Sequence, residues 1–106
     1  MAVKIITQRT VTPDRQAELQ LLLRQLRMKA INQPGYLMGE TLISVDNPNT
    51  CIVVSTWHSL DDWKAWEAHP ERRDIQAQIE KLLTTHSQMA VYTEQATTPP
   101  EADQGP

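Results

Sequence analysis

The chain has 106 residues, about 40% of them hydrophobic, and a formal net charge of -3. This is one domain's worth of chain, and its interspersed charges leave no basic stripe of the kind that grips nucleic acid. The single cysteine, Cys51, allows no internal disulfide and fits a reducing, cytoplasmic setting. The opening Met1-Ala2-Val3-Lys4-Ile5-Ile6 is too short an apolar run for a secretory signal, and nothing in the sequence is long and apolar enough to span a bilayer. Neither nucleic acid nor a membrane is therefore expected as a partner. Phe is absent, yet Trp57, Trp63 and Trp66 crowd into ten positions.

In chain order, residues 2–11 carry Val3, Ile5, Ile6, Thr7, Thr10 and Val11 and read as a strand. Thr12-Pro13 predicts an N-cap with proline at the first helical position. Leu19, Leu22, Leu23, Leu26 and Ala30, spaced by threes and fours, then place one apolar stripe on a long helix that Asn32-Gln33-Pro34-Gly35 ends. Strands are expected over 36–46 and 51–58, joined by the turn residues Asp46-Asn47-Pro48-Asn49-Thr50 into an antiparallel hairpin. Ser59 before Leu60-Asp61-Asp62 caps a short helix bearing Leu60, Trp63 and Trp66 on one face. His69-Pro70 interrupts it. A further helix over 70–84 turns Ile75, Ile79, Leu82 and Leu83 inward, and 87–95 makes a last strand. The order β-α-β-β-α-β predicts an α+β, ferredoxin-like fold with an antiparallel sheet. One domain is expected over 1–96. The tail 97–106, with Pro99, Pro100 and Pro106, is expected to be disordered.

Such a sheet carries helices on one face, and the other should alternate to polar residues. It does not. Leu37, Ile43 and Val45 read as one face of the second strand, Tyr36, Met38 and Leu42 as the other. Val53 and Trp57 oppose Ile52 and Val54, and Val3 and Ile5 oppose Ala2 and Ile6. Apolar side chains on both faces call for a second cover, and a second copy of the sheet is the simplest, which predicts a homodimer.

The stretch Ser55-Thr56-Trp57-His58-Ser59-Leu60-Asp61-Asp62-Trp63-Lys64-Ala65-Trp66, the following His69-Pro70-Glu71-Arg72-Arg73, and the upstream Gln33-Pro34-Gly35-Tyr36 resemble the antibiotic biosynthesis monooxygenase family. The resemblance covers residues 2–95. It implies a dimeric α+β barrel with one pocket per subunit between sheet and helices. The family holds cofactor-independent oxygenases of aromatic polyketides and quinols alongside heme-degrading monooxygenases. The heme-degrading branch is similar at Trp66, but its ligating histidine ten positions further on is here Gln76. Its first-strand asparagine is unmatched at Thr7, Gln8 and Arg9. Glutamine is a poor axial ligand beside imidazole, so heme is a minority reading that would need His69 or His86 in another geometry.

The histidines 58, 69 and 86 and Cys51 make no metal-site spacing, and no metal is expected. The glycines 35, 39 and 105 build no phosphate cradle. His58 is the candidate general base, since imidazole titrates near neutrality; a solvated histidine at a strand end is the plainer alternative. Trp57 and Trp66 match positions that flank the family's pocket, whereas Trp63 reads as core packing. Tyr36, Gln8, Arg73 and Arg72 are candidate polar contacts to substrate. The leading expectation is a cofactor-independent monooxygenase of a small aromatic or quinol-type substrate, which itself supplies the electrons. The alternatives are a non-catalytic small-ligand-binding dimer and a heme-binding or heme-degrading monooxygenase with atypical ligation.

Overall fold

The computed structural model describes residues 1–95; the expected tail lies outside them. The elements are β1 (Val3–Thr10), α1 (Gln16–Ala30), β2 (Tyr36–Ile43), β3 (Thr50–Trp57), α2 (Leu60–Glu67), α3 (Pro70–Glu80) and β4 (Gln88–Thr93). The four strands form one sheet in the order β2-β3-β1-β4 with every neighbour antiparallel. This is the expected ferredoxin-like α+β arrangement. Among the described residues, no helix is long and apolar enough to cross a membrane.

Period-two alternation sorts β1 cleanly: Val3, Ile5, Thr7 and Arg9 are buried toward the helices, while Lys4 and Gln8 are exposed. Helix α1 starts later than Thr12-Pro13 suggests. Pro13–Arg15 form a single 3-10 turn, and Thr12 makes no side-chain cap. From there Leu19, Leu22, Leu23 and Ala30 turn inward. Ser59 caps α2 as expected, its Oγ accepting from the Asp62 amide at 3.1 Å. His69 caps α3, its Nδ1 accepting from the Glu71 amide at 3.1 Å, with Pro70 at the first helical position. Helix α3 ends at Glu80, short of the expected 84, and the chain then forms an isolated bridge between Val11 and Leu83.

One departure from strict alternation decides what β2 presents. Tyr36 pairs with Trp57, but Met38 pairs with Thr56, so Leu37 is an extra residue in a β-bulge. The bulge puts Tyr36 on the helix-covered face with Gly39 and Thr41. The expectation that Tyr36 shares a face with Met38 and Leu42 is thereby corrected. Met38 and Leu42 remain on the outer face with Tyr92, all three about half exposed, beside half-buried Ile6, Ile52 and Val54.

The interior holds two clusters that meet at Leu26. One joins Val11, Leu19, Leu22, Leu23 and Cys51 to Ile75, Ile79 and Leu82 of the α3 end. The other gathers Val3, Ile5 and Ala30 around Trp57, Trp63 and Trp66. Gly35, at φ 85°, turns the chain from α1 into β2 against the Asp62 side chain, where a Cβ would collide. Its carbonyl accepts from the His58 amide at 2.7 Å. Replacing Gly35 with alanine combines a disfavoured backbone region with that collision. We expect G35A to lose at least about 1–2 kcal/mol in urea unfolding; an unchanged midpoint would refute this account of the turn.

Candidate functional site

A cavity opens where the two core clusters meet, between the inner face of the sheet and helices α1 and α2. Trp57, the last residue of β3, is wholly buried at its base. Tyr36 meets Trp57 edge-on with ring centroids 5.3 Å apart, and Trp63 meets it at 5.8 Å, both within the range of favourable aromatic pairs. Trp57 Nε1 donates to Ser55 Oγ at 3.1 Å. Trp66 completes the aromatic wall, and its other side lies 5.4 Å from the His69 ring. Half-buried Leu26, Arg27, Tyr36 and Thr41 form the mouth between α1 and β2, where Arg27 Nη2 donates to Thr41 Oγ1 at 2.9 Å.

The space is about 60 Å³ and opens at its mouth. It is small beside an apolar cavity of roughly 150 Å³ of the kind that takes up benzene. An aromatic ring therefore enters only if the mouth widens.

The cavity is apolar over most of its walls, with the hydroxyl groups of Thr7, Thr41 and Ser55 among them, and its charged points are cationic. Arg9, Arg27 and Arg72 line it, and among the described residues no carboxylate or imidazole does. Arg72 lies over Trp63, its Cζ 5.1 Å from the ring centroid, and burial draws its pKa down. Arg9 is the extreme case. It is 3% exposed, its Nη2 donates to Gln76 Oε1 at 2.8 Å, and Nε and Nη1 are buried with no partner among the described residues. Desolvation is the main cause that brings its pKa down to about 10, with Arg72 adding to the fall and Cys51 and Glu80 opposing it. It remains a cation at neutral pH.

Gln76 is committed on both sides. Beyond the bond from Arg9, its Nε2 donates to Glu80 Oε2 at 2.8 Å. Glu80 in turn accepts from the Ser87 amide at 3.2 Å. Burial raises the Glu80 pKa, but the Ser87 and His86 hydrogen bonds and the Arg9 charge together bring it below the usual carboxylate range. These residues do not fit a heme iron. The amide at the ligand position is bound to a cation, and His69 Nδ1 is occupied as a helix cap.

The sequence-predicted residues divide sharply. Tyr36, Trp57, Trp66 and Arg72 come together around the cavity, joined by Trp63, which the sequence places in the core. Gln8, His58 and Arg73 do not reach it. Gln8 is exposed on the other face of the sheet and Arg73 is exposed on α3. His58 points to solvent with its side chain 78% exposed, its Nδ1 3.7 Å from Asp62 Oδ2. The expectation of a base at His58 is corrected on that geometry: an imidazole outside the cavity cannot take a proton from a ligand within it. Arg9 is not among the sequence candidates, although its strand parity matches Val3, Ile5 and Thr7. A cation at a core-facing position was the available signal.

An isolated buried cation costs stability. The depressed Arg9 pKa means that the unfolded chain binds more protons between about pH 10 and the ordinary arginine range. Stability should therefore rise with pH across that window, and the full penalty stands at neutral pH. Replacing Arg9 with methionine should stabilise the fold by about 1–3 kcal/mol, read as a raised Tm at pH 7. A lowered Tm would show that the guanidinium is already compensated.

A model described as antibiotic biosynthesis monooxygenase matches residues 2–78. Three solved structures share the fold. The first is a conserved protein of Methanosarcina mazei, with TM-score 0.85 and 14% identity, covering 90% of this chain and 94% of that one. The second is SnoaB of Streptomyces nogalater, described as a cofactor-independent oxygenase, with TM-score 0.81 and 21% identity, covering 92% and 97%. The third is Rv0793 of Mycobacterium tuberculosis, with TM-score 0.83 and 18% identity, covering 93% and 100%. No curated protein matches the sequence.

Proposed function

The chain belongs to the antibiotic biosynthesis monooxygenase family, and we propose that it is a cofactor-independent oxygenase of a small planar aromatic or quinol-type molecule held in the tryptophan-walled cavity. The observation that carries this reading is the gathering of Tyr36, Trp57, Trp63 and Trp66 around one space whose charged points are arginines. Aromatic walls suit a flat ring. Cations beside the ring favour its ionised form, and the low-dielectric surroundings strengthen that effect. The description of SnoaB as a cofactor-independent oxygenase on the same fold supports the reading.

The chemistry needs no redox group from the protein. An activated methylene of the ligand loses a proton to a water molecule at the mouth of the cavity. The resulting carbanion passes one electron to dioxygen, giving a ligand radical and superoxide, which combine into a peroxide. Cleavage of the O–O bond with loss of the second C–H proton leaves one oxygen on carbon as a carbonyl and releases the other as water. A CH2 group and O2 thus become C=O and H2O. The protein supplies orientation, exclusion of water and stabilisation of the anion.

Oxygen uptake with an anthrone, measured above its uncatalysed oxidation, tests this. We expect stimulation by the wild-type protein and by H58A within about twofold of each other, because His58 lies outside the cavity. Loss of uptake in H58A would restore that residue to the mechanism. A second reading, a ligand-binding module without turnover, is favoured by the absence of any carboxylate or imidazole lining the cavity among the described residues. Tight anthrone binding with no uptake above background would establish it.

We further propose that the outer sheet face, with Met38, Leu42 and Tyr92 about half exposed, is covered by a second copy of the chain in a homodimer. A large apolar patch is costly to leave in water. Leu42→Glu should convert the dimer to a folded monomer in sedimentation velocity, since a glutamate there faces the partner and not the core. A wild-type monomer at micromolar concentration would refute the assignment.

A further inference from the structure

We propose that Arg9 is the receptor for an anionic oxygen on the ligand, so that the cavity takes a planar aromatic bearing a carboxylate or phenolate in preference to its neutral counterpart. The inference rests on the reading of the cavity as an aromatic-ligand site, and it adds the charge that such a ligand must carry.

Three observations converge on it. First, Arg9 lines the cavity at 3% exposure with Nε and Nη1 unanswered among the described residues. Buried polar groups are nearly always hydrogen-bonded, and an orphan on a charged group calls for an explanation. Second, the acid that would ordinarily neutralise it is held one residue away. Glu80 accepts from Gln76 at 2.8 Å and from the Ser87 amide at 3.2 Å, and it is Gln76 that hydrogen-bonds the Arg9 guanidinium. Gln76 is a positioning residue: it anchors one nitrogen and leaves the others for a ligand. Third, Arg72 and Arg27 line the same space and, among the described residues, no carboxylate does. Arg72 acts on Arg9 as a like charge. An anion among them would relieve both the repulsion and the lost hydration.

Calorimetric titration with 2-naphthoate and its neutral amide, 2-naphthamide, measures the preference. Wild type should bind the carboxylate roughly ten- to a hundredfold more tightly, the discrimination of a charge-assisted hydrogen bond. R9M should bring the ratio to about one, and R9K should keep part of it. Circular dichroism of each variant confirms that it is folded. The phenolate source is read separately: the absorbance-monitored ionisation of bound 2-naphthol should fall by about 1–3 pH units beside the cation, and return in R9M. A preference for naphthoate assigns the carboxylate, and a lowered naphthol ionisation the phenolate. Equal binding of acid and amide together with an unshifted naphthol overturns the proposal, as does failure of all three probes to bind. Oxygen uptake with anthrone stands apart from these titrations. Uptake without an anion preference would keep the oxygenase reading and remove the subsite; an anion preference without uptake would do the reverse.

Discussion

Trp57 organises the hollow at the centre of this domain. It closes β3, loses all contact with solvent, and is held edge-on by Tyr36 from β2 and by Trp63 from α2. Three rings fixed at angles to one another cannot fill space as aliphatic side chains do, because each presents a rigid plane. The gap beside them is a consequence of that rigidity. The short helix α2 carries two of the tryptophans on one face, and its Ser59 cap with the Gly35 turn against Asp62 fixes where that face lies. Backbone chemistry at the loop junctions therefore sets the shape of the cavity wall several residues away.

The same cavity holds a charge that folding alone would not select. An apolar side chain at position 9 would pack against the same neighbours without desolvation. The chain instead buries a guanidinium and secures it through Gln76 to Glu80 and Ser87, a relay of neutral and charged hydrogen bonds that reaches from the sheet to α3 and the segment before β4. Local stability is given up for a preorganised cation at this position. In a relative that ligates heme from the Gln76 position, the same region would have to be rebuilt around a metal; here its donors and acceptors serve a cation.

Much of this is legible in the sequence. The element order, the hairpin at Asp46-Asn47-Pro48-Asn49, the Ser59 cap and the tryptophan cluster all follow from local chemistry that the fold obeys. The candidate site was read less well, and the misplaced residues share a cause. Gln8 sits between core-facing Thr7 and Arg9, and His58 follows core-facing Trp57, so period-two alternation already turns both outward. Arg72 stands three before Ile75 and seven before Ile79, on the buried stripe of α3, whereas Arg73 is rotated off it. Chemical type drew attention to residues that geometry excludes. The Leu37 bulge is different in kind: β-branched content and spacing do not reveal it, because an extra residue in one strand is defined only against its partner.

Alternation also explains how one thin sheet can serve two surfaces without conflict. On β3, Val53, Ser55 and Trp57 line the cavity while Ile52 and Val54 face outward; on β1, Thr7 and Arg9 line it while Ile6 faces outward. Neighbouring residues thus belong to different tasks, and a change at one leaves the other's side chains untouched. The bulge is what admits β2 to this scheme. In strict register Tyr36 would fall on the outer face beside Met38; the extra residue at Leu37 rotates it over Trp57. It is therefore a local irregularity, and not the sheet's regular pairing, that completes the aromatic wall on which any ring-binding role of this domain depends.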